Sequence, residues 1–230
     1  MPRTARASVG GVCYHVINRG NGRVKVFRSP DDYESFVSLL SGAAARVGGR
    51  VLAYCVMPNH FHLVLWPRKD GDLSRFMQWL LTAHVRRHHR EHHGSGHVWQ
   101  GRFKAFPIEQ NEHLLTVLRY VEGHALRAGL VDRAESWAWS SARWWRERRG
   151  RPEFLEDGPV DRGSRWVREV NQPMTAREEE ALRRSVNRGT PWGDPSWQRR
   201  IAARLGLESS LRPRGRPRKE GSKAKRRAKN

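Results

Sequence analysis

Arg50-Val51-Leu52-Ala53-Tyr54-Cys55-Val56-Met57-Pro58-Asn59-His60-Phe61-His62-Leu63-Val64-Leu65-Trp66 reads as two β-strands joined at a tight turn. Strand formers fill both arms and Pro58-Asn59 supplies the turn, which predicts a hairpin with arms Arg50–Met57 and His60–Trp66. Side chains of a strand alternate between its faces, so His60 and His62 point one way and Phe61 the other. Two imidazoles on one strand face make a preformed pair of metal ligands, while Phe61 anchors the strand in a core.

Working outward, residues 12–18 (VCYHVIN) alternate like a strand and end at the turn 19–22. Ser29-Pro30-Asp31-Asp32 marks a helix start, with Ser29 as N-cap and Pro30 at the first helical position. That helix runs to about residue 46, with Tyr33, Phe36, Val37 and Leu40 on one face, and Gly48-Gly49 ends it. Residues 72–90 repeat the helical spacing through Leu73, Phe76, Met77, Leu80 and Leu81. Residues 98–109 have strand character broken by Gly101 and Pro107, and residues 112–126 form a helix that carries Tyr120. A short helix follows Trp137-Ala138-Trp139-Ser140-Ser141 and runs to about residue 149. The order β-α-β-β-α-β-α predicts an α+β, ferredoxin-like or RRM-like domain: an antiparallel sheet with helices on one face.

Residues 150–174 are rich in Gly, Pro and charge and read as a linker or irregular packing segment. Two short helices, 175–187 and 194–205, make a helical extension over 175–210, followed by a basic tail over 211–230. That tail carries ten Lys and Arg against Glu220 alone, so of a net charge of +21 about +12 stays on the body.

With a pI near 11.4, the chain calls for a polyanionic partner, nucleic acid first. The apolar runs are of strand length and too short for a bilayer. The start, Met1-Pro2-Arg3-Thr4-Ala5-Arg6, lacks the apolar core of a signal peptide, which predicts a cytoplasmic, nucleoid-associated protein. Cys13 and Cys55, each inside an apolar run, read as reduced core residues.

Tyr120 and His124 lie one helical turn apart and share a face, whereas Glu122 falls on another. With His60 and His62, His124 would complete a three-histidine site for Mg²⁺ or Mn²⁺ and bring the phenol oxygen beside it. A phenol has an unperturbed pKa near 10, so a neighbouring cation or base favours the phenolate nucleophile. His84, His88, His89, His92 and His93 suggest zinc, but their polar surroundings and Gly94-Ser95-Gly96 favour a solvated helix end near a DNA backbone. Pro213-Arg214-Gly215-Arg216-Pro217-Arg218-Lys219 resembles an AT-hook, whose extended Arg-Gly-Arg lies along a narrow minor groove.

Tyr14-His15-Val16-Ile17-Asn18-Arg19-Gly20, Met57-Pro58-Asn59-His60-Phe61-His62 and Trp99-Gln100-Gly101-Arg102-Phe103-Lys104 resemble the HUH single-tyrosine transposases. Arg119-Tyr120-Val121-Glu122-Gly123-His124-Ala125-Leu126-Arg127 matches their catalytic-helix region, and Trp137-Ala138-Trp139-Ser140-Ser141 follows where expected. The motifs are similar to the branch of the REP-associated tyrosine transposases, and the resemblance covers about residues 8–145. It implies a catalytic domain over 1–149 with His60 and His62 as the metal pair and Tyr120 as the nucleophile. The implied reaction cleaves single-stranded, hairpin-forming DNA through a 5′-phosphotyrosine and then transfers the strand. His124 stands where the family usually carries Asn or another polar side chain. Arg19, Arg102 and Lys104 are the expected phosphate contacts, with Arg214, Arg216 and Arg218 adding duplex contacts from the tail. Trp99 and Phe103 could stack on exposed bases, although core packing is the better reading for at least one of them. The family includes monomers and helix-exchanged dimers. Two other classes fit a basic sheet protein: a catalytically silent DNA-binding repressor and a binder of single-stranded RNA.

Overall fold

The computed structural model describes residues 8–147 and 149–212. At its centre lie β1 (Cys13–Arg19), β2 (Arg50–Met57), β3 (His60–Trp66) and β4 (Lys104–Ile108), ordered β2-β3-β1-β4 in one sheet. Every neighbouring pair is antiparallel. α1 (Pro30–Val47) joins β1 to β2 and α2 (Asp72–His92) joins β3 to β4, which is the ferredoxin-like order.

α1 starts where Ser29 and Asp32 form a capping box. The Ser29 hydroxyl accepts from the Asp32 amide, and the Asp32 carboxylate accepts from the Ser29 amide at 3.0 Å. Its C-terminus turns at Gly48, whose φ of 70° suits a residue without Cβ. The hairpin turn is held from outside: Pro58 O accepts from the Val26 and Phe27 amides, and Asn59 O from the Gly20 amide.

The sheet has two buried faces. Tyr14, Val16, Tyr54, Val56, Phe61, Leu63 and Leu65 pack with Phe36, Leu40, Phe76, Met77 and Leu80 of α1 and α2. Cys13, Ala53, Cys55, Met57, Val64, Phe106 and Ile108 pack on the opposite side with Leu114, Val117, Leu118 and Val121 of α3 (Glu112–Glu122). The predicted helix pair thus covers one face, and α3 adds a cover on the other. A bulge between Val51 and Ala53 shifts the alternation of β2 and keeps both faces in phase. Continuous apolar runs such as Leu63-Val64-Leu65 are what a strand buried on both sides requires.

Three segments differ from the sequence-based expectation. The fourth strand is short, because Gly101 takes φ 138° and leaves residues 98–103 irregular, though Val98, Trp99 and Phe103 are buried. The helix expected over 112–126 breaks at Gly123 into α3 and α4 (His124–Arg127). A Cβ on Gly123 would sit 3.1 Å from Val170 O, so a glycine is needed for the close approach of the chain at 170. The histidine stripe of α2 is not a uniformly solvated end. His84 is buried among Phe27, Phe36 and Trp99, and His92 Nε2 donates to Asp32 at 2.8 Å. Spacing of four puts positions 84, 88 and 92 on one side of α2, which here faces α1 and its approach.

After α4 come α5 (Arg143–Arg146), α6 (Trp166–Asn171), α7 (Ala176–Arg188), α8 (Pro195–Leu205) and α9 (Glu208–Leu211). Residues 150–174 are packed rather than free: Leu155 joins one core and Trp166 the other. The extension docks at the β4 edge, where Trp192 N donates to Pro107 O and Glu109 N to Trp192 O, both at 2.9 Å. Arg214, Arg216 and Arg218 lie outside the described residues. Among the described residues no helix is long and apolar enough to cross a membrane.

Candidate active site

Register places the histidines. His62 sits opposite Ile17 on one side and Cys55 on the other, while His60 sits opposite Arg19 and Met57. Cross-strand partners share a face, so both imidazoles look towards α3, and Phe61 is buried in the α1–α2 core. His124, just past the Gly123 break, completes the group: one ligand nitrogen from each of His60, His62 and His124 lies within 4.8 Å of the others. His60 Nε2 and His124 Nε2 are 3.0 Å apart. The Tyr120 ring stands 5.7 Å from the rings of both His62 and His124, and is 7% exposed.

Two side chains organise the strand pair. Asn59 Nδ2 donates to Arg23 O, which turns Asn59 Oδ1 towards His60; His60 Nδ1 donates to that oxygen at 2.7 Å. An amide oxygen only accepts, so the His60 proton is on Nδ1 and its Nε2 carries a lone pair facing the group. His62 Nδ1 is bonded to His15 Nε2 at 2.8 Å, and His62 Nε2 is buried with no hydrogen-bond partner among the described residues. An imidazole nitrogen without a partner, close to two others, fits a divalent cation in the tautomer that puts the His62 proton on Nδ1. Sequence alone marks Asn59 as a turn residue and does not single out His15 for the site. The signal for His15 was its strand parity with Ile17 and Arg19, which became informative only with the partner strand known.

Burial keeps these imidazoles neutral. His15 is pulled down to about 3 and His60 to about 4, the latter helped by the Arg19 charge. His62 and His124 are lowered well below the ordinary histidine value by burial, then by neighbouring histidines. Tyr120 is shifted the other way: burial raises its pKa, opposed mainly by Arg127, whose guanidinium lies 4.7 Å over the ring. Arg127 also donates to Tyr120 O and pairs with Glu179 of α7 at 3.8 Å, which ties the extension to the site.

The histidine shifts carry a stability consequence. The unfolded chain takes up protons near pH 6.5, while the folded chain refuses them until about pH 4 and below. Protonation therefore favours the unfolded state, so stability is full above pH 6.5 and falls as pH drops from there towards 4. Urea midpoints measured without added metal should decline steadily across that window; a flat profile would mean that the imidazoles are solvated.

Arg19, Arg102 and Lys104 line one cleft of about 210 Å³ beside the site, together with Gln100 and with Val186 and Asn187 of α7. Trp99 is 5% exposed and Phe103 6%, so both serve the core in this conformation and not a stacking surface. Glu122 points away from Tyr120, as its spacing predicts, and is fully buried.

The fold is that of a solved REP-associated tyrosine transposase bound to a REP hairpin, with TM-score 0.52 and 18% identity, over 76% of this chain and all of that one. The profile of the family described as "Transposase IS200 like" matches residues 8–124, just over half of the sequence, and the chain belongs to that family. A Haemophilus influenzae protein assigned as a REP-associated tyrosine transposase is 25% identical over 100 residues, 39% of this chain. That match spans only 57% of the relative's length. A Deinococcus radiodurans R1 protein assigned as a transposase is 23% identical over 53% of this chain and 96% of its own, at TM-score 0.38.

Proposed function

We propose that the chain is a metal-dependent single-strand DNA endonuclease and strand transferase that acts on hairpin-forming DNA through a 5′-phosphotyrosine. The observation that carries the reading is the convergence of three imidazole nitrogens within 4.8 Å beside the Tyr120 ring. His60, His62 and His124 would hold Mg²⁺ or Mn²⁺, with imidazoles favouring Mn²⁺ of the two. When bound, the cation supplies charge stabilisation to the phosphoryl oxygens and lowers the barrier to displacement.

The remaining work falls to the protein's side chains. Tyr120 gives its proton to solvent, aided by the Arg127 charge over its ring against the burial that raises its pKa, and its oxygen attacks the phosphorus. A P–O bond to tyrosine forms, the bond to the 3′-oxygen breaks, and that oxygen leaves as a 3′-hydroxyl after taking up a proton. The hydroxyl of another strand reverses the step, so transfer needs no external energy source. Arg19, Arg102 and Lys104 would hold the strand by its phosphates. The hairpin held by the solved structural neighbour makes hairpin DNA the substrate to try first.

The test is to incubate the full chain with end-labelled hairpin oligonucleotides and Mn²⁺ and to look for a denaturant-resistant protein–DNA adduct. Adduct formation is expected. Tight binding with no adduct would sink the nuclease reading and favour a repressor, and preference for the matching RNA hairpin would favour an RNA binder.

The tail gives a separate expectation. Removal of residues 211–230 takes away ten cationic side chains. Duplex affinity should weaken and the slope of log affinity against log salt should flatten by several units, since fewer counterions are released. Equal slopes for the two chains would remove the tail from the DNA contact.

A further inference from the structure

We propose that His15 is a positioning residue that holds the His62 imidazole with its proton on Nδ1 and its Nε2 lone pair towards His60 and His124. The inference rests on the reading of His60, His62 and His124 as a cation site.

His15 lies on β1, diagonally across from His62, and is 0% exposed. Phe106 stacks on its ring at 4.8 Å and 27°, and its Nε2 meets His62 Nδ1 at 2.8 Å. Both rings are buried, with His62 at 1% exposure and also against the His124 ring at 4.4 Å. Two neutral imidazoles bonded in this way share one proton between the facing nitrogens. With the proton on His62 Nδ1, His15 accepts and His62 Nε2 is bare. With the proton on His15 Nε2, His62 must carry its own on Nε2 and presents an N–H to the other histidines.

Only the first arrangement binds a cation. Asn59 imposes it on His60 outright, because its oxygen cannot donate. His15 can do either, so the His15–His62 pair is an adjustable part of the site. Cation binding therefore settles the pair in the arrangement where His15 accepts and its own proton lies on Nδ1, a nitrogen buried without a partner among the described residues. His15 thus acts through His62 and touches neither cation nor DNA.

Substitution separates positioning from packing. His15→Gln places an amide oxygen near the former Nε2 and keeps an acceptor, whereas His15→Leu keeps bulk and removes it. Mn²⁺ affinity, measured by calorimetry on full-length protein without DNA, should fall roughly 10–100-fold in His15→Leu and only a few-fold in His15→Gln. In the parent, ¹⁵N spectra of the histidines with Zn²⁺ as a diamagnetic probe should show His62 protonated at Nδ1. A proton on His62 Nε2 in the loaded protein would overturn the proposal, and this reading needs no variant to fold. So would a folded His15→Leu with parental Mn²⁺ affinity. His62→Ala is the control for the underlying site. If it loses Mn²⁺ while His15→Leu does not, only the His15 role fails; if it binds Mn²⁺ like the parent, the site reading fails and takes the His15 role with it.

Discussion

Tyr120→Phe is expected to abolish the covalent DNA adduct while hairpin binding stays within a few-fold of the parent. The substitution removes one oxygen and leaves the ring, so the contact with Arg127 at 4.7 Å and the edge contacts with His62 and His124 at 5.7 Å survive. Folding should be close to parental. What disappears is the atom that forms the P–O bond, and removal of a nucleophile costs on the order of 10³-fold or more. On a denaturing gel the adduct should drop below detection, with an unchanged mobility shift on a native one. An adduct that persists in Tyr120→Phe would assign the nucleophile elsewhere.

Glu122→Ala is expected to be the most destabilising single change near the site. The carboxylate is fully buried and accepts from Ser141 Oγ at 2.7 Å, Trp145 Nε1 at 2.8 Å and Trp166 Nε1 at 2.6 Å. It is also the leading opposite charge for Arg162, a guanidinium that is 5% exposed and lies over the Trp145 ring at 4.2 Å. Truncation leaves two indole N–H groups and the Ser141 hydroxyl without their acceptor, and removes the leading opposite charge near Arg162, whose own N–H groups donate to Leu52 O and Asp157 O. Loss of one partner from such a network costs about 3–5 kcal/mol, which for a chain of this size lowers the melting temperature by roughly 10 °C. Glu122→Gln keeps the shape and one acceptor oxygen, so it should lose less than half as much. Equal urea midpoints for Glu122→Ala and the parent would mean that the carboxylate does not bind α3 to the segments carrying Trp145 and Trp166. Because Glu122 is two residues from Tyr120, the same network fixes the end of the helix that presents the tyrosine.

Much of this arrangement was legible in the sequence because it is local. Alternation put His60 and His62 on one strand face and Phe61 on the other, and the register bears this out. Ser29, Pro30 and Asp32 announce the start of α1, where the capping box forms. A spacing of four linked Tyr120 to His124, and their rings do share a face despite the break at Gly123. The break itself was hidden, since it answers to Val170, whose backbone passes close to Gly123 from far along the chain. For 150–174 the sequence left a linker and an irregular packing segment both open, because its Gly, Pro and charge are the composition of a linker while Leu155, Trp166, Val170 and Met174 enter the two cores.

By itself the sequence determined the directions of side chains relative to their own strand or helix, the order of the elements and the basic character of the surface, because these depend on periodicity and composition. The tertiary structure alone decided which directions meet. His15 reaches His62 across 47 positions, and Trp166 reaches Glu122 across 44. Those meetings follow from the strand order β2-β3-β1-β4 and from the cover of both sheet faces. A local pattern says which way an imidazole points; only the packing of distant elements supplies what it points at.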